Sequence, residues 1–100
     1  MINAEEAKKI TSVKREEYKQ KAFTNLMDLA ETRIKENSNS GFYSCSLRVT
    51  TPNILENSEY EEIILNVIHT LIEFGYFVTH TVLPSASYDT NTYSIIIKWE

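Results

Sequence analysis

The first third of the chain has the hydrophobic spacing of an amphipathic helix. From Tyr18 onward, apolar residues recur three or four positions apart and share one face, which comprises Tyr18, Ala22, Phe23, Leu26, Leu29, Ala30 and Ile34. Asn3 and Glu6 have the spacing of a capping box, so we expect the helix to begin almost at the first residue. The turn-forming residues at 37–41, NSNSG, predict where it ends.

Two apolar residues in this segment, Ile10 and Val13, lie off the stripe that the later residues form. Either the helix breaks near Thr11 and Ser12, whose hydroxyls compete for backbone groups, or its first three turns face something other than the core. Two exposed apolar side chains beside basic residues form a contact patch. We therefore predict that residues 1–17 mediate self-association or partner contact, through Ile10, Val13, Lys14 and Arg15.

A strand and a second helix follow. The stretch FYSCSLRVT alternates apolar and polar residues, with Tyr43, Cys45, Leu47 and Val49 expected to face inward. Ser58 and Glu61 form an S-x-x-E pair that predicts the start of the clearest helix in the chain, and Gly75 is its natural stop. The wide apolar face of that helix comprises Tyr60, Ile63, Ile64, Val67, Ile68, Leu71 and Ile72.

The last quarter of the chain predicts two more strands, YFVTHTVLP and TYSIIIKWE, with Asp89, Thr90 and Asn91 in the hairpin turn between them. The final strand carries Ile95 and Ile97 on one side and Ile96 on the other, a pattern typical of a central strand. We expect a single α+β domain over residues 1–100, with residues 18–100 as its core. Its order is helix-strand-helix-strand-strand, with two helices packed on one face of a three-stranded sheet of strand order 1-3-2.

Composition and charge narrow the function. The formal net charge of −4 disfavours nucleic acid and membrane surfaces as partners, because both require a basic footprint. Basic residues concentrate in residues 1–21, whereas residues 50–97 contain acids but no Lys or Arg, so the two regions should attract each other within one molecule or between copies. One cysteine, no signal-peptide pattern and no apolar run of membrane-spanning length predict a cytoplasmic protein.

The sheet face opposite the helices is the strongest candidate binding site. Hydroxyls and a few cations are the groups that hold a phosphorylated small ligand or a polar protein surface, although an ordinary solvated sheet face is the alternative interpretation. With Ile96 exposed among them, the predicted ligand-binding residues are Ser44, Ser46, Arg48, Thr79, Thr81, Ser94 and Lys98.

Catalysis and metal binding have little support in the sequence. Cys45 alternates in phase with core positions, which predicts a buried thiol, and His69 lies on the polar side of its helix. His80 is undecided, because both faces of its strand are equally apolar. A small enzyme that pairs Cys45 with His80 stays open as an alternative, but no metal-ligand spacing, glycine-rich loop or cofactor motif is found.

Four acidic residues surround the start of the second helix. The helix dipole favours negative charge there, which is a structural reason for the cluster. The alternative interpretation is a contact with a basic partner, including nucleic-acid mimicry. The four residues are Glu56, Glu59, Glu61 and Glu62.

The opening INAEEAKKIT and the ending YSIIIKW, joined by this order of elements, resemble small phage and prophage proteins of unknown function. The resemblance implies a phage origin and action in the host cytoplasm. It favours a non-enzymatic, homo-oligomeric accessory protein that binds and neutralises a host component, for example as a host-defence inhibitor or a nucleotide-signal sequestrant. A structural phage component is a further alternative.

Overall fold

A computed structural model of the chain describes residues 1–84 and 90–100. Its elements, in chain order, are α1 (Ala4–Asn39), β1 (Ser44–Thr50), α2 (Asn57–Glu73), β2 (Phe77–Pro84) and β3 (Asn91–Lys98). The three strands form one antiparallel sheet of order β1-β3-β2, and α1 and α2 pack on one side of it. The predicted α+β class, element order and strand order are therefore confirmed.

The last strand is the centre of the sheet, as its apolar pattern predicts. Ile97 lies opposite Cys45 on one side and Val78 on the other. Three residues on this face of the strand are fully buried: Tyr93, Ile95 and Ile97. Asn91 is already the first residue of β3, Asp89 lies outside the described residues, and so the predicted hairpin turn is only partly covered.

Helix α1 is unbroken over 36 residues, a length of about 54 Å at the usual helical rise. Asn3 caps it as predicted, since its side-chain Oδ1 accepts a hydrogen bond from the backbone N–H of Glu6 at 2.9 Å. The break considered at Thr11 and Ser12 does not occur. Both residues have a backbone N–H, and their helix propensity is higher than that of Gly or Pro. Of the two alternatives, the one in which the first turns face away from the core is correct.

The start of α2 differs from the prediction. The capping box is formed by Glu56 and Glu59, and the predicted box at Ser58 and Glu61 is wrong by two residues. Glu59 accepts the backbone N–H of Glu56 at 3.0 Å. The other end agrees with the prediction, since the helix ends at Glu73 and Gly75 has a positive φ of 99°.

The core lies between the helices and one face of the sheet, and its largest fully buried side chains come from α2 and β3. Two residues expected in it are exposed. Tyr43 precedes the first residue of β1, and Ile72 lies beside the beginning of β2 at the margin of the α2 stripe. The buried residues of the core are Leu26, Ala30, Cys45, Leu47, Leu55, Tyr60, Ile63, Ile64, Val67, Ile68, Leu71, Tyr93, Ile95 and Ile97.

Candidate functional site

The strand register brings all the predicted ligand-binding residues onto one surface. Side chains alternate between the two faces of a sheet, and those next to the buried positions must point away from the helices. We call this surface the open face; in rows across β1, β3 and β2 it comprises Ser44, Lys98 and Phe77; Ser46, Ile96 and Thr79; Arg48, Ser94 and Thr81; and Thr50, Thr92 and Leu83.

Pairing with β3 also decides which side of β2 is buried. Val78 and His80 lie opposite Ile97 and Ile95, so they share the helix-covered face and are half-buried. Phe77 and Leu83 consequently belong to the open face, where Phe77 is 67% exposed. The sequence could not indicate this, because the two sides of β2 are equally apolar and only the register to β3 separates them.

Two cations bracket an apolar centre on the open face. Ile96, 41% exposed, lies opposite Ser46 and Thr79. Lys98 lies in the row on one side of Ile96, and Arg48 lies in the row on the other side. At ordinary strand spacings the Cα atoms of Arg48 and Lys98 are about 14 Å apart. Both sides of this centre carry hydroxyl groups, so the surface offers two charges, several hydrogen-bonding groups and a short apolar contact.

The charge of the open face is opposite to that of the whole chain. None of its rows contains an acidic residue, and among the described residues neither Arg48 nor Lys98 forms an ion pair. Charges held without a partner on an acidic protein are free to attract a negative one. The open face is therefore a local cationic surface on a chain of net charge −4.

The open face is a surface and not a cleft. A hollow of about 400 Å³ beside Ile72 and Gly75 borders it at Phe77 and Thr79 but does not extend across its rows. Other hollows in the described residues lie away from it. One of about 320 Å³ lies between Met27 and Ile34 of α1 and the end of α2, and a wider groove of about 920 Å³ runs between the two helices. Small-molecule sites are concave and enclose most of their ligand. The shape of the open face is thus better suited to another protein surface.

Cys45 and His80 are not arranged as a nucleophile and its base. Cys45 is 5% exposed, and its burial raises the pKa of the thiol, a rise that the charge of Arg33 opposes. Strand β3 separates the two residues, with a backbone separation of about 12 Å at ordinary strand spacings. His69 is exposed on α2, and no group of three or more metal-ligating side chains occurs within residues 1–84 and 90–100.

The predicted contact patch at the start of α1 has two different parts. Ile10 and Val13 are 53% and 57% exposed on the projecting part of the helix, and Lys14 beside them forms an ion pair with Glu17, at 3.3 Å. Arg15 instead donates to the backbone carbonyl of Ile54 at 2.7 Å and forms an ion pair with Glu59. Arg15 is thereby engaged within its own chain.

Glu59 joins α1 to α2. Its Oε2 lies 3.0 Å from Lys19 Nζ, and its carboxylate also forms the ion pair with Arg15. The predicted attraction between the basic and acidic regions therefore occurs within one molecule. The hydrogen bond from the backbone N–H of Glu56, followed by that from Lys19, holds the pKa of Glu59 below its ordinary value. The same carboxylate therefore caps α2 and pairs with two cations of α1. The other acids of the cluster, Glu56, Glu61 and Glu62, are exposed.

Comparison of the chain with protein-family models, with curated proteins and with solved structures found no match. Neither of the two helices in the described part of the chain is both long and apolar enough to cross a membrane.

Proposed function

We propose that this chain is a non-enzymatic binding protein whose open face binds an acidic surface of another protein. The observation that carries the proposal is the placement of Arg48 and Lys98 on either side of the exposed Ile96, with no carboxylate on the same face. A complementary partner would present acids about 14 Å apart around an apolar residue, the distance that separates the two cationic strand positions.

A protein partner is favoured over a phosphorylated small ligand because of shape. Phosphate recognition by Arg and Lys gains strength where several donors converge, but the two cations of the open face stand in separate rows. Exposed apolar side chains on the same face, Phe77, Leu83 and Ile96, add area that a protein interface would bury.

The biological role that we propose follows from the resemblance at the two ends of the sequence. A phage accessory protein in the host cytoplasm would use this surface to neutralise a host protein, for example one that acts in defence. The projecting start of α1, with Ile10 and Val13, supplies a second contact. Sequestration of a nucleotide signal ranks lower because the open face is not concave.

Two alternatives remain in view. The Cys45 and His80 enzyme is disfavoured by the separation of the two side chains across β3 and by the burial of the thiol. A structural phage component would have to assemble by itself into large particles, which light scattering of the purified chain measures directly.

The test compares two charge reversals. The variant Arg48→Glu with Lys98→Glu changes the open face, and the control Lys21→Glu with Lys35→Glu makes the same change of charge on exposed residues of α1 that lie outside residues 1–17. Each is used as bait in a lysate of a bacterial host, and captured proteins and small molecules released on denaturation are identified by mass spectrometry. We expect an acidic protein that wild type and control retain and the open-face variant loses. Equal capture by all three contradicts the proposal, and loss of a phosphorylated small molecule instead would assign the face to that ligand.

A further inference from the structure

Strand β2 is an exposed sheet edge that lacks the usual protection. Among the described residues no strand pairs with its outer side, so half of its backbone donors and acceptors point away from β3 without a ladder partner. Proteins generally guard such edges with charged side chains, prolines or bulges. In β2 the only such feature is Pro84, at the very end, and the strand contains no Lys, Arg, Asp or Glu. The other edge, β1, carries Arg48.

We propose that two copies of the chain associate through β2, in an antiparallel pair with His80 on the two-fold axis. The occupant of this edge is a second copy because the strand is complementary to itself in that register. Phe77 lies opposite Leu83 of the second copy, Val78 opposite Val82, and Thr79 opposite Thr81. Each pair matches like with like, and aromatic or β-branched pairs are those that stabilise neighbouring strands.

Other registers match less well. Shifting the axis by one residue to Thr81 places Thr79 opposite Leu83 and His80 opposite Val82, and shifting it to Thr79 places Phe77 opposite Thr81. In both cases polar side chains face apolar ones. The shift to Thr79 also reduces the paired residues from seven to five, and the shift to Thr81 places Val78 opposite Pro84, which has no backbone N–H to donate. A one-residue shift of the axis therefore loses the matching of apolar with apolar and hydroxyl with hydroxyl side chains, so the sequence of β2 favours a single register of the pair.

A hollow beside the edge supports the same occupant. Ile72 of α2 is 49% exposed and lines a shallow depression with Gly75, Tyr76 and the first residues of β2, including Val78. In the proposed pair, Val82 of the second copy enters beside Val78 and covers this depression. The exposure of Ile72, which the apolar stripe of α2 did not predict, then has an explanation.

The size of the contact predicts a reversible dimer. Seven paired residues span about 23 Å, and a strip of that length across both faces of the sheet buries on the order of 500 Å² per copy, near the lower limit for specific interfaces. In the dimer the two sheets join into one of six strands, and both open faces lie on the same side. The pair would bind a repetitive acidic partner at two points, but its formation does not depend on the function proposed above.

Disulfide trapping tests the register in the full-length chain. Across the axis, the Cα atoms of the two His80 residues would be about 5 Å apart, within the range of a disulfide, so we expect His80→Cys to form covalent dimers under mild oxidation. Thr79→Cys is the matched control, since the two residues 79 lie on a diagonal of about 8 Å. Native Cys45 is buried in both variants. Trapping of His80→Cys no greater than that of Thr79→Cys overturns the proposal.

Sedimentation provides a second measurement that needs no oxidation. Wild type should change from monomer to dimer between about 10 µM and 1 mM. The variant His80→Lys places two like charges opposite each other and should raise the dissociation constant about tenfold or more, whereas His69→Lys, the same change on exposed α2, should leave it unaltered. A wild type that stays monomeric, or equal effects of the two variants, contradicts the pairing. If His80→Lys unfolds in a circular dichroism melt, the trapping experiment decides.

Discussion

Arg15 of α1 and Glu59 of α2, 44 residues apart in the chain, form an ion pair that fixes the long helix on the second one. The same carboxylate caps α2 and accepts Lys19. Beyond Arg15 toward the N-terminus, α1 projects from the core, and the molecule reaches 58 Å in its longest dimension. This pair therefore marks the boundary between the packed part of α1 and its free part.

Replacing Glu59 by Gln should lower the melting temperature more than the same change at exposed Glu62. The variant loses both cation contacts and weakens the cap of α2. The measurement is thermal unfolding at neutral pH. Equal melting temperatures for the two variants would show that the ion pairs contribute nothing measurable to the fold.

The lowered pKa of Glu59 predicts a pH dependence. A carboxyl whose folded pKa lies below its unfolded value stabilises the fold fully above the unfolded pKa, about 4.3, and loses this contribution as the pH falls through the folded pKa. Below about pH 4.3 wild type should therefore lose stability more steeply than Glu59→Gln. Parallel acid-unfolding curves for the two proteins would contradict this.

Ile97→Asp should unfold the protein, because it places a carboxylate in the fully buried centre of the sheet, at a cost of about 4 kcal/mol or more. The matched control is Ile96→Asp, one residue away on the 41% exposed open-face side, which should change stability by less than about 1 kcal/mol. A cooperative melt of the Ile97 variant near that of wild type would remove β3 from the core.

Deleting residues 1–13 should leave the melting temperature nearly unchanged, within about 0.5 kcal/mol of stability, since Ile10 and Val13 are exposed and Arg15 is retained. We expect the deletion to weaken capture of a partner, while dimerisation through β2 persists. Light scattering and thermal unfolding of the truncated chain are the measurements. Unfolding on truncation would show that the first turns belong to the core.

Cys45→Ser combined with His80→Ala should retain partner binding, with a loss of stability of about 1–3 kcal/mol from the buried hydroxyl. Cys45→Ala is the control that removes the thiol without adding a polar group. A variant that folds yet no longer captures the partner would contradict binding through the open face, because Cys45 and His80 lie on the opposite face of the sheet.

The sequence predicted those features that depend on local pattern. Ile95 and Ile97 on one side of the last strand, with Ile96 on the other, were sufficient to place it in the centre of the sheet, and Asn3 was sufficient to start α1. Features that depend on contacts between distant parts of the chain could not be predicted from the sequence. The capping box of α2 is formed by Glu56 and Glu59, and the ion pairs of Glu59 with Arg15 and Lys19 of α1 are contacts that the local pattern around α2 does not reveal.

The candidate site was predictable to the same extent. Clear alternation in β1 and β3 identified the positions of Arg48 and Lys98, whereas β2 has no dominant face, so Phe77 and Leu83 were assigned to the open face only by the register to β3. Ile72 shows the corresponding limit for helices, since periodicity marks a stripe but not which edge of it the sheet covers.

The most direct test of the open face is nuclear magnetic resonance of the isotope-labelled chain, titrated with the acidic protein that wild type captures. We predict that the perturbed backbone amides cluster in the rows around Ile96, including Ser46, Arg48, Thr79, Ser94 and Lys98, and that the perturbations weaken as salt is raised. Perturbations confined to α1 and α2, with these rows unchanged, would contradict the account.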